Sequence, residues 1–213
     1  MTLTEMRAAL APRIAGNAAF DGWGNVAVDN AAASLGINAA SARLAFPGGA
    51  MDMIDAWISG VDAAMAAQLS AVSLAALPVR ARIRQLVQFR LDAVASTRES
   101  LRRALAIMAM PQNLVRSAQF GWRSADAMWR LAGDTATDYN HYTKRAILGS
   151  VYAATLAVYV ADESEHFAET AAFLDRRIEA IMRFEKAKAK LLNTTEQHFS
   201  PARFLGRLRY PSR

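Results

Sequence analysis

Apolar residues recur along this chain at helical spacing, and no stretch sustains the alternation of a β-strand. Glycine and proline breaks divide the pattern into predicted helices at residues 4–19, 26–35, a short segment ending at 44, 50–76, 79–96, 97–110, 111–132, 137–161 and 165–190, with a short amphipathic piece at 201–209. Gly36 is placed to end the second helix in a left-handed cap. The pattern therefore predicts an all-α fold.

Composition and charge narrow the possible functions. Hydrophobic residues make up 53% of the 213 residues, which is typical of a globular chain, and the absence of cysteine excludes disulfides and thiolate metal sites. The net charge of +6 is concentrated at one end, because residues 186–213 hold seven basic side chains and one acidic one. A basic tail on a neutral body indicates an anionic surface as partner.

Residues 31–47 resemble the helix-turn-helix unit of the TetR family, through the apolar-Gly-apolar turn at 35–37 and the closing Phe46-Pro47. The resemblance implies a dimeric TetR-like helical bundle, divided into a three-helix unit (1–49), a ligand-binding and dimerisation domain (50–190) and a tail (191–213). DNA binding requires a positively charged third helix, yet Arg43 is the one basic residue in this helix. We therefore expect a degenerate unit with a structural role, and DNA is disfavoured as a partner.

A longer block is more distinctive. Two segments carry it: SADAMWRLAGDTATDYNHYTKRAILGSVY at 124–152 and FLDRRI at 173–178. Both resemble the coenzyme Q biosynthesis accessory proteins of the Coq-nine family. The resemblance implies binding of an isoprenoid quinone intermediate, no cofactor, and contact with the hydroxylase that acts on the quinone ring. It places that contact at Asp126, Met128, Asp138, His141, Tyr142 and Arg145.

The residues of this proposed patch also have a simpler interpretation. Asp138 and Tyr142 share one helix face, as do His141 and Arg145, which is compatible with a patch but equally with the solvated first turns of a helix. The family usually has Trp where His141 stands, and Trp is a natural interface anchor.

The predicted helix at 146–161 carries no charge and has two unlike sides. Small residues on one side would let a neighbouring helix approach closely, in a dimer seam or a tight core pair. The family resemblance implies a lipid pocket, which we expect to be lined by bulky residues of this and other helices: Met65, Leu86, Phe89, Leu148, Val151, Tyr152 and Tyr159. Ordinary solid core is the alternative, because apolar periodicity does not reveal a void.

The C-terminal tail has an amphipathic pattern. In helical projection Phe204, Leu205 and Leu208 lie together, with Arg203 and Arg207 opposite them. This pattern predicts reversible binding to an anionic membrane surface, with packing onto the body and nucleic-acid binding as alternatives. The expected location is cytoplasmic and peripheral on the inner membrane, or the matrix side of that membrane in a eukaryote.

Catalytic motifs are scarce. Glu163 and His166 have the Glu-x-x-His spacing, but a di-iron bundle needs two such motifs and two more carboxylates. No P-loop or G-x-S-x-G motif occurs. We therefore expect a non-enzymatic protein without a metal site. A lipid-sensing TetR-type regulator is the main alternative function, and an adaptor without a ligand is the third.

Overall fold

A computed structural model describes residues 1–137 and 139–198, with side chains described as far as Arg183 apart from that of Tyr139. The described residues form ten α-helices and no strand, which confirms the predicted all-α fold. The helices are α1 (Leu3–Asp21), α2 (Asn25–Ser34), α3 (Ala39–Leu44), α4 (Ala50–Gln68), α5 (Ala71–Ala75), α6 (Val79–Ala93), α7 (Arg98–Met108), α8 (Leu114–Leu131), α9 (Tyr139–Ala161) and α10 (Ala168–His198).

Local chemistry explains where the first helices begin and end. At the start of α1, Thr2 and Glu5 form a reciprocal capping box. At the end of α2, Gly36 has the predicted left-handed conformation with φ of 66°, and the Ile37 amide donates to the Ala32 carbonyl at 2.9 Å. This Schellman motif turns the chain sharply into α3.

The single helix predicted at 50–76 is wrong, because the chain breaks after Gln68 and restarts at Ala71. Leu69 is extended, and the Ser70 hydroxyl accepts a hydrogen bond from the Ser73 amide at 3.1 Å. A serine that caps the next helix competes with continuation of the previous one. Short 3-10 turns likewise precede α8 and α10, where the pattern predicted uninterrupted helix.

The three N-terminal helices pack onto the rest of the molecule through a shared core. Leu10 and Ile14 of α1 are fully buried. The Trp23 indole donates to the Ser100 carbonyl at 3.0 Å and packs against Trp57 with ring centroids 5.3 Å apart. These contacts join the N-terminal helices to α4 and α7.

Helices α4 and α6 to α10 form the larger bundle, in which α8 and α9 are close neighbours. A Cβ atom on Gly149 would lie 3.8 Å from the Gly121 carbonyl oxygen, so the two backbones approach closely there. No helix within the described residues is long and apolar enough to cross a bilayer. The predicted membrane-binding residues Arg203, Phe204, Leu205, Arg207 and Leu208 lie outside the described part of the chain.

Candidate functional site

An apolar cavity of about 490 Å³ lies between α4, α6, α7, α8 and α9. Its size is within the range of small-molecule sites. Most of the wall is aliphatic or aromatic. Its deeper lining includes Ile54, Trp57, Val61, Val94, Leu101, Ala104, Phe120 and Leu156.

The cavity opens to the surface between α8 and α9. The exposed lining residues belong to these two helices, and four of the six are small: Leu114, Ala118 and Trp122 on α8, and Ala146, Ser150 and Ala153 on α9. These exposed residues lie at the mouth of the cavity, on the surface that α8 and α9 form together.

A polar group interrupts the apolar wall. Arg90 and Ser124 are buried and line the cavity together with Tyr152. The Arg90 guanidinium forms an ion pair with Asp62, donates to the Ser124 hydroxyl at 3.1 Å and lies 4.8 Å from the Tyr152 ring centroid. Burial works to lower the pKa of Arg90, but Tyr152 and Asp62 together raise it above its ordinary value.

The predicted lipid lining requires correction, because of its seven residues Tyr152 alone lines this cavity. Leu148 and Val151 line a second apolar cavity of about 390 Å³ between α6, α8, α9 and α10. Phe89 lies in an open groove beside α6. Met65, Leu86 and Tyr159 belong to the solid core, where the Tyr159 hydroxyl donates to the Leu91 carbonyl at 3.2 Å.

The error has a simple cause. The bulky side of α9 fills the space that it faces, whereas Ala146, Gly149, Ser150 and Ala153 on the small side leave space unfilled. The small side was expected to pack closely against another helix, and at Gly149 it does so against α8. The same small residues also form one edge of the cavity opening.

Three aromatic rings cluster beside this opening. The Trp122 centroid lies 6.1 Å from that of Tyr142 and 6.5 Å from that of His141, and the His141 and Tyr142 centroids are 5.1 Å apart. Tyr142 is 61% exposed. Trp122 was not predicted as a functional residue, since nothing in the sequence relates it to residues some 20 positions away.

Charged residues behind this aromatic cluster join α8 to α9. The Arg145 guanidinium contacts Asp126 at 2.6 Å and Asp134 at 2.9 Å, and Lys144 contacts Asp134 at 2.6 Å. Burial tends to raise the pKa of Asp134, but hydrogen bonds from Lys144 and Arg145 outweigh burial and hold that pKa below its ordinary value. Asp134, which follows α8, is therefore held to α9 by ionised groups.

The predicted partner patch is only partly at the surface. Met128 is fully buried and Arg145 is 2% exposed, so neither offers a surface for a partner, which corrects the prediction for these two. Met128 points into the core from α8, and Arg145 is held by its two carboxylates. Asp126, His141 and Tyr142 remain accessible to different degrees, and Asp138 lies outside the described residues.

The N-terminal unit presents little positive charge on its third helix. Arg43 of α3 forms an ion pair with Asp29 of α2, with Nε 2.8 Å from the carboxylate. The charge available for a phosphate contact on this helix is thus already paired within the unit.

The Glu-x-x-His segment does not form a regular helical turn. His166 has φ of 53°, and both Glu163 and His166 are exposed. In the part of the chain that the structure describes, no three His, Asp or Glu side chains are grouped so that they could hold a metal ion.

Comparison with known proteins shows similarity in sequence to the COQ9 family and similarity in fold to a solved structure. Residues 114–185 match the COQ9 (Coq-nine) family model. The chain is 32% identical to "Ubiquinone biosynthesis protein COQ9, mitochondrial" of Rattus norvegicus and 30% identical to the protein of the same description in Homo sapiens, each over 182 residues and 82% of this chain. It spans 58% and 57% of the length of these relatives.

Among solved structures, the chain is similar to a TetR transcriptional regulator from Nitrosomonas europaea ATCC 19718. The TM-score is 0.65 with 23% sequence identity, and the match covers 83% of this chain and 97% of the regulator. This similarity confirms the predicted TetR-like fold.

Proposed function

The chain is a homologue of the COQ9 ubiquinone biosynthesis proteins, as the sequence predicted, and on that premise we propose that it is an accessory protein of ubiquinone biosynthesis. It binds an isoprenoid quinone intermediate and passes this lipid to a hydroxylase that acts on the quinone ring. The observation that carries the proposal is the apolar cavity of about 490 Å³ that opens between α8 and α9.

The cavity suits a carrier rather than a catalyst. The part of the lipid that moves from a bilayer into an apolar cavity exchanges one apolar environment for another, so the free energy of transfer is small. Modest differences in affinity between two conformations then suffice to load or release the lipid. The proposed mechanism is therefore differential binding, without a cofactor and without a chemical step on this chain.

The aromatic cluster of Trp122, His141 and Tyr142 is the proposed docking surface for the hydroxylase. Exposed aromatic rings are typical anchors of protein interfaces, and this cluster borders the cavity opening. Asp126 lies behind the cluster and pairs with the buried Arg145. A hydroxylase bound here would cover the place where the lipid leaves.

The location and assembly of the protein form part of the same proposal. The relatives from Rattus norvegicus and Homo sapiens are described as mitochondrial. We place this protein peripherally on the inner membrane, on the cytoplasmic side in a bacterium or the matrix side in a eukaryote, held by the basic tail. A homodimer is proposed from the TetR-like resemblance.

The alternative function, a TetR-type regulator that senses a lipid, is disfavoured by electrostatics. Most of the affinity of a regulator for DNA comes from phosphate neutralisation. Arg43 of α3 is paired with Asp29, so the helix that would enter the major groove has no unpaired cation among its residues. Specific DNA binding in a gel-shift assay at modest salt would reverse this preference.

A space-filling substitution tests the cavity as the lipid site. Ala153→Trp places a large ring at the opening, and Ala157→Trp, one turn further along α9, is a matched control at an exposed position outside the cavity lining. Binding of 2-decyl-1,4-benzoquinone is measured by gel filtration followed by extraction of the bound ligand. We expect Ala153→Trp to weaken binding about tenfold or more, because a few excluded CH₂ groups contribute about 0.8 kcal/mol each. Equal binding by both variants would contradict the assignment.

A further inference from the structure

The cavity contains one buried hydrogen-bond donor without an acceptor. Arg90 is 2% exposed, and its Nε–H group has no hydrogen-bond partner. The other two guanidinium nitrogens are occupied, one by Asp62 and one by the Ser124 hydroxyl at 3.1 Å. Buried donors in proteins are nearly always paired, so this group requires an oxygen acceptor, which a ligand in the cavity would supply.

The chemistry of the missing acceptor follows from the surrounding charges. The positive charge of Arg90 is balanced by its ion pair with Asp62. Arg123 lies 3.9 Å from Asp62 and 2.6 Å from Asp55, so the group contains two cations and two carboxylates. An anionic ligand would add an unbalanced charge in a buried setting, which is costly. A neutral oxygen acceptor satisfies the Nε–H group without this cost.

The size of the cavity determines which part of a long lipid is enclosed. A space of about 490 Å³ holds a ring and a few attached carbons, but not a polyprenyl chain. The polar group of Arg90 and Ser124 is in the buried wall, whereas the opening is lined by Ala118, Trp122 and Ala153. The polar end of an amphiphile therefore matches the interior, and its apolar end matches the opening.

We propose that Arg90, together with Ser124 and Tyr152, binds a carbonyl, hydroxyl or ether oxygen on the ring of the lipid, so that the ring is held inside and the isoprenoid tail leaves between α8 and α9. The inference rests on the proposed function for the presence of a lipid, and adds its orientation and the chemical class of its head. A ring held in this way is shielded from water until the lipid is released.

Three probes with the same decyl chain test the head group: 2-decyl-1,4-benzoquinone, decylbenzene and 4-decylbenzoate. Each is offered to the intact protein from neutral vesicles, and the bound ligand is extracted after gel filtration. We expect the quinone to bind about tenfold more tightly than decylbenzene, because the hydrocarbon leaves the Nε–H group unpaired. The benzoate should also bind more weakly than the quinone.

The substitution Arg90→Lys tests the residue itself. Lysine keeps the charge that Asp62 requires but lacks the planar fork of donors, so the preference for quinone over decylbenzene should fall to about equal binding. Arg98→Lys is the matched control, because Arg98 packs over the Phe167 ring and is not part of the cavity lining. It should retain the preference. If Arg90→Lys fails to fold, the three probes on the unmodified protein still decide the question.

The outcomes separate the two proposals. Failure of both the quinone and the hydrocarbon to bind would overturn the proposed function and this inference with it. Equal binding of the two by the unmodified protein would leave the lipid-carrier function standing and overturn the role of Arg90. Tightest binding by the benzoate would overturn the assignment of a neutral head.

Discussion

The carboxylate of Asp162 is buried at the junction of α9 and α10, where it accepts four hydrogen bonds. Its donors are the amides of Ser164 and Thr170, each at 2.8 Å, and the hydroxyls of the same two residues at 2.5 and 2.6 Å. Burial tends to raise the pKa of Asp162, but these donors outweigh burial and hold the pKa well below its ordinary value. The charged form of one residue thus fixes the start of α10.

This arrangement predicts a pH-dependent effect of Asp162→Asn. In the variant, the side-chain NH₂ group would face the amide and hydroxyl donors of Ser164 and Thr170 and could not accept their hydrogen bonds. The variant should therefore melt at a lower temperature than the unmodified protein at pH 7. The stabilisation is present above the pKa of the unfolded carboxyl, about 3.9, and is lost as pH falls towards the lower folded value. The melting temperatures of Asp162→Asn and of the unmodified protein should therefore move closer together as the pH falls from 5 to 3.

Asp175→Asn is the control for this effect. Asp175 is an exposed partner of Arg84, and such surface pairs contribute little to stability. Its melting temperature should follow that of the unmodified protein. A difference between Asp162→Asn and the unmodified protein that stays constant from pH 7 to pH 3 would contradict the role given to the ionised carboxylate.

At the scale of elements, Arg145 joins α9 to α8 and to the loop between them. Its side chain is 2% exposed, whereas Arg130, the other partner of Asp126, is 73% exposed. Arg145→Met should lower the free energy of unfolding by about 3 kcal/mol, because it leaves buried carboxylates short of a partner. Arg130→Met should cost less than about 1 kcal/mol. Denaturant unfolding measures both, and equal losses would show that burial of Arg145 has no energetic consequence.

Most of the helices were predicted from the sequence because the signals that define a helix lie within that helix. Periodicity and glycine breaks are local, and Gly36 occupies the predicted left-handed position. The break between α4 and α5 was missed because Ser70 acts through a single capping hydrogen bond inside an otherwise helical pattern. Helix propensity summed over a window of many residues does not detect a single capping residue.

The positions of the cavity and the aromatic cluster could not be predicted in the same way. A void is bounded by several helices at once, so it depends on how tightly they pack rather than on the pattern of any one of them. This is why Tyr152 lines the cavity while Met65 and Leu86, which were predicted to line the same pocket, lie in the solid core. Likewise, Trp122 meets His141 and Tyr142 only because the chain turns back after α8.

For the whole molecule, the basic tail is predicted to hold the protein at a membrane. Removal of residues 198–213 deletes four arginines and the apolar arc between them. Basic residues contribute about 1 kcal/mol each near an anionic leaflet, so the shortened chain should bind anionic vesicles at least about tenfold more weakly in a flotation assay. Neutral vesicles serve as the control, since the charge contribution is absent there. Equal flotation of both chains with anionic vesicles would refute the role of the tail.

The central claim is that the space between α4 and α6 to α9 is occupied by a lipid in the working protein. The most direct measurement is extraction of the protein, purified without detergent from cells that make ubiquinone, followed by mass spectrometry of the extract. The account predicts an isoprenoid quinone or its precursor in near-equal amount to the chain, and its loss in Ala153→Trp but not in Ala157→Trp. A protein that carries no isoprenoid lipid, or carries the same amount in both variants, would contradict it.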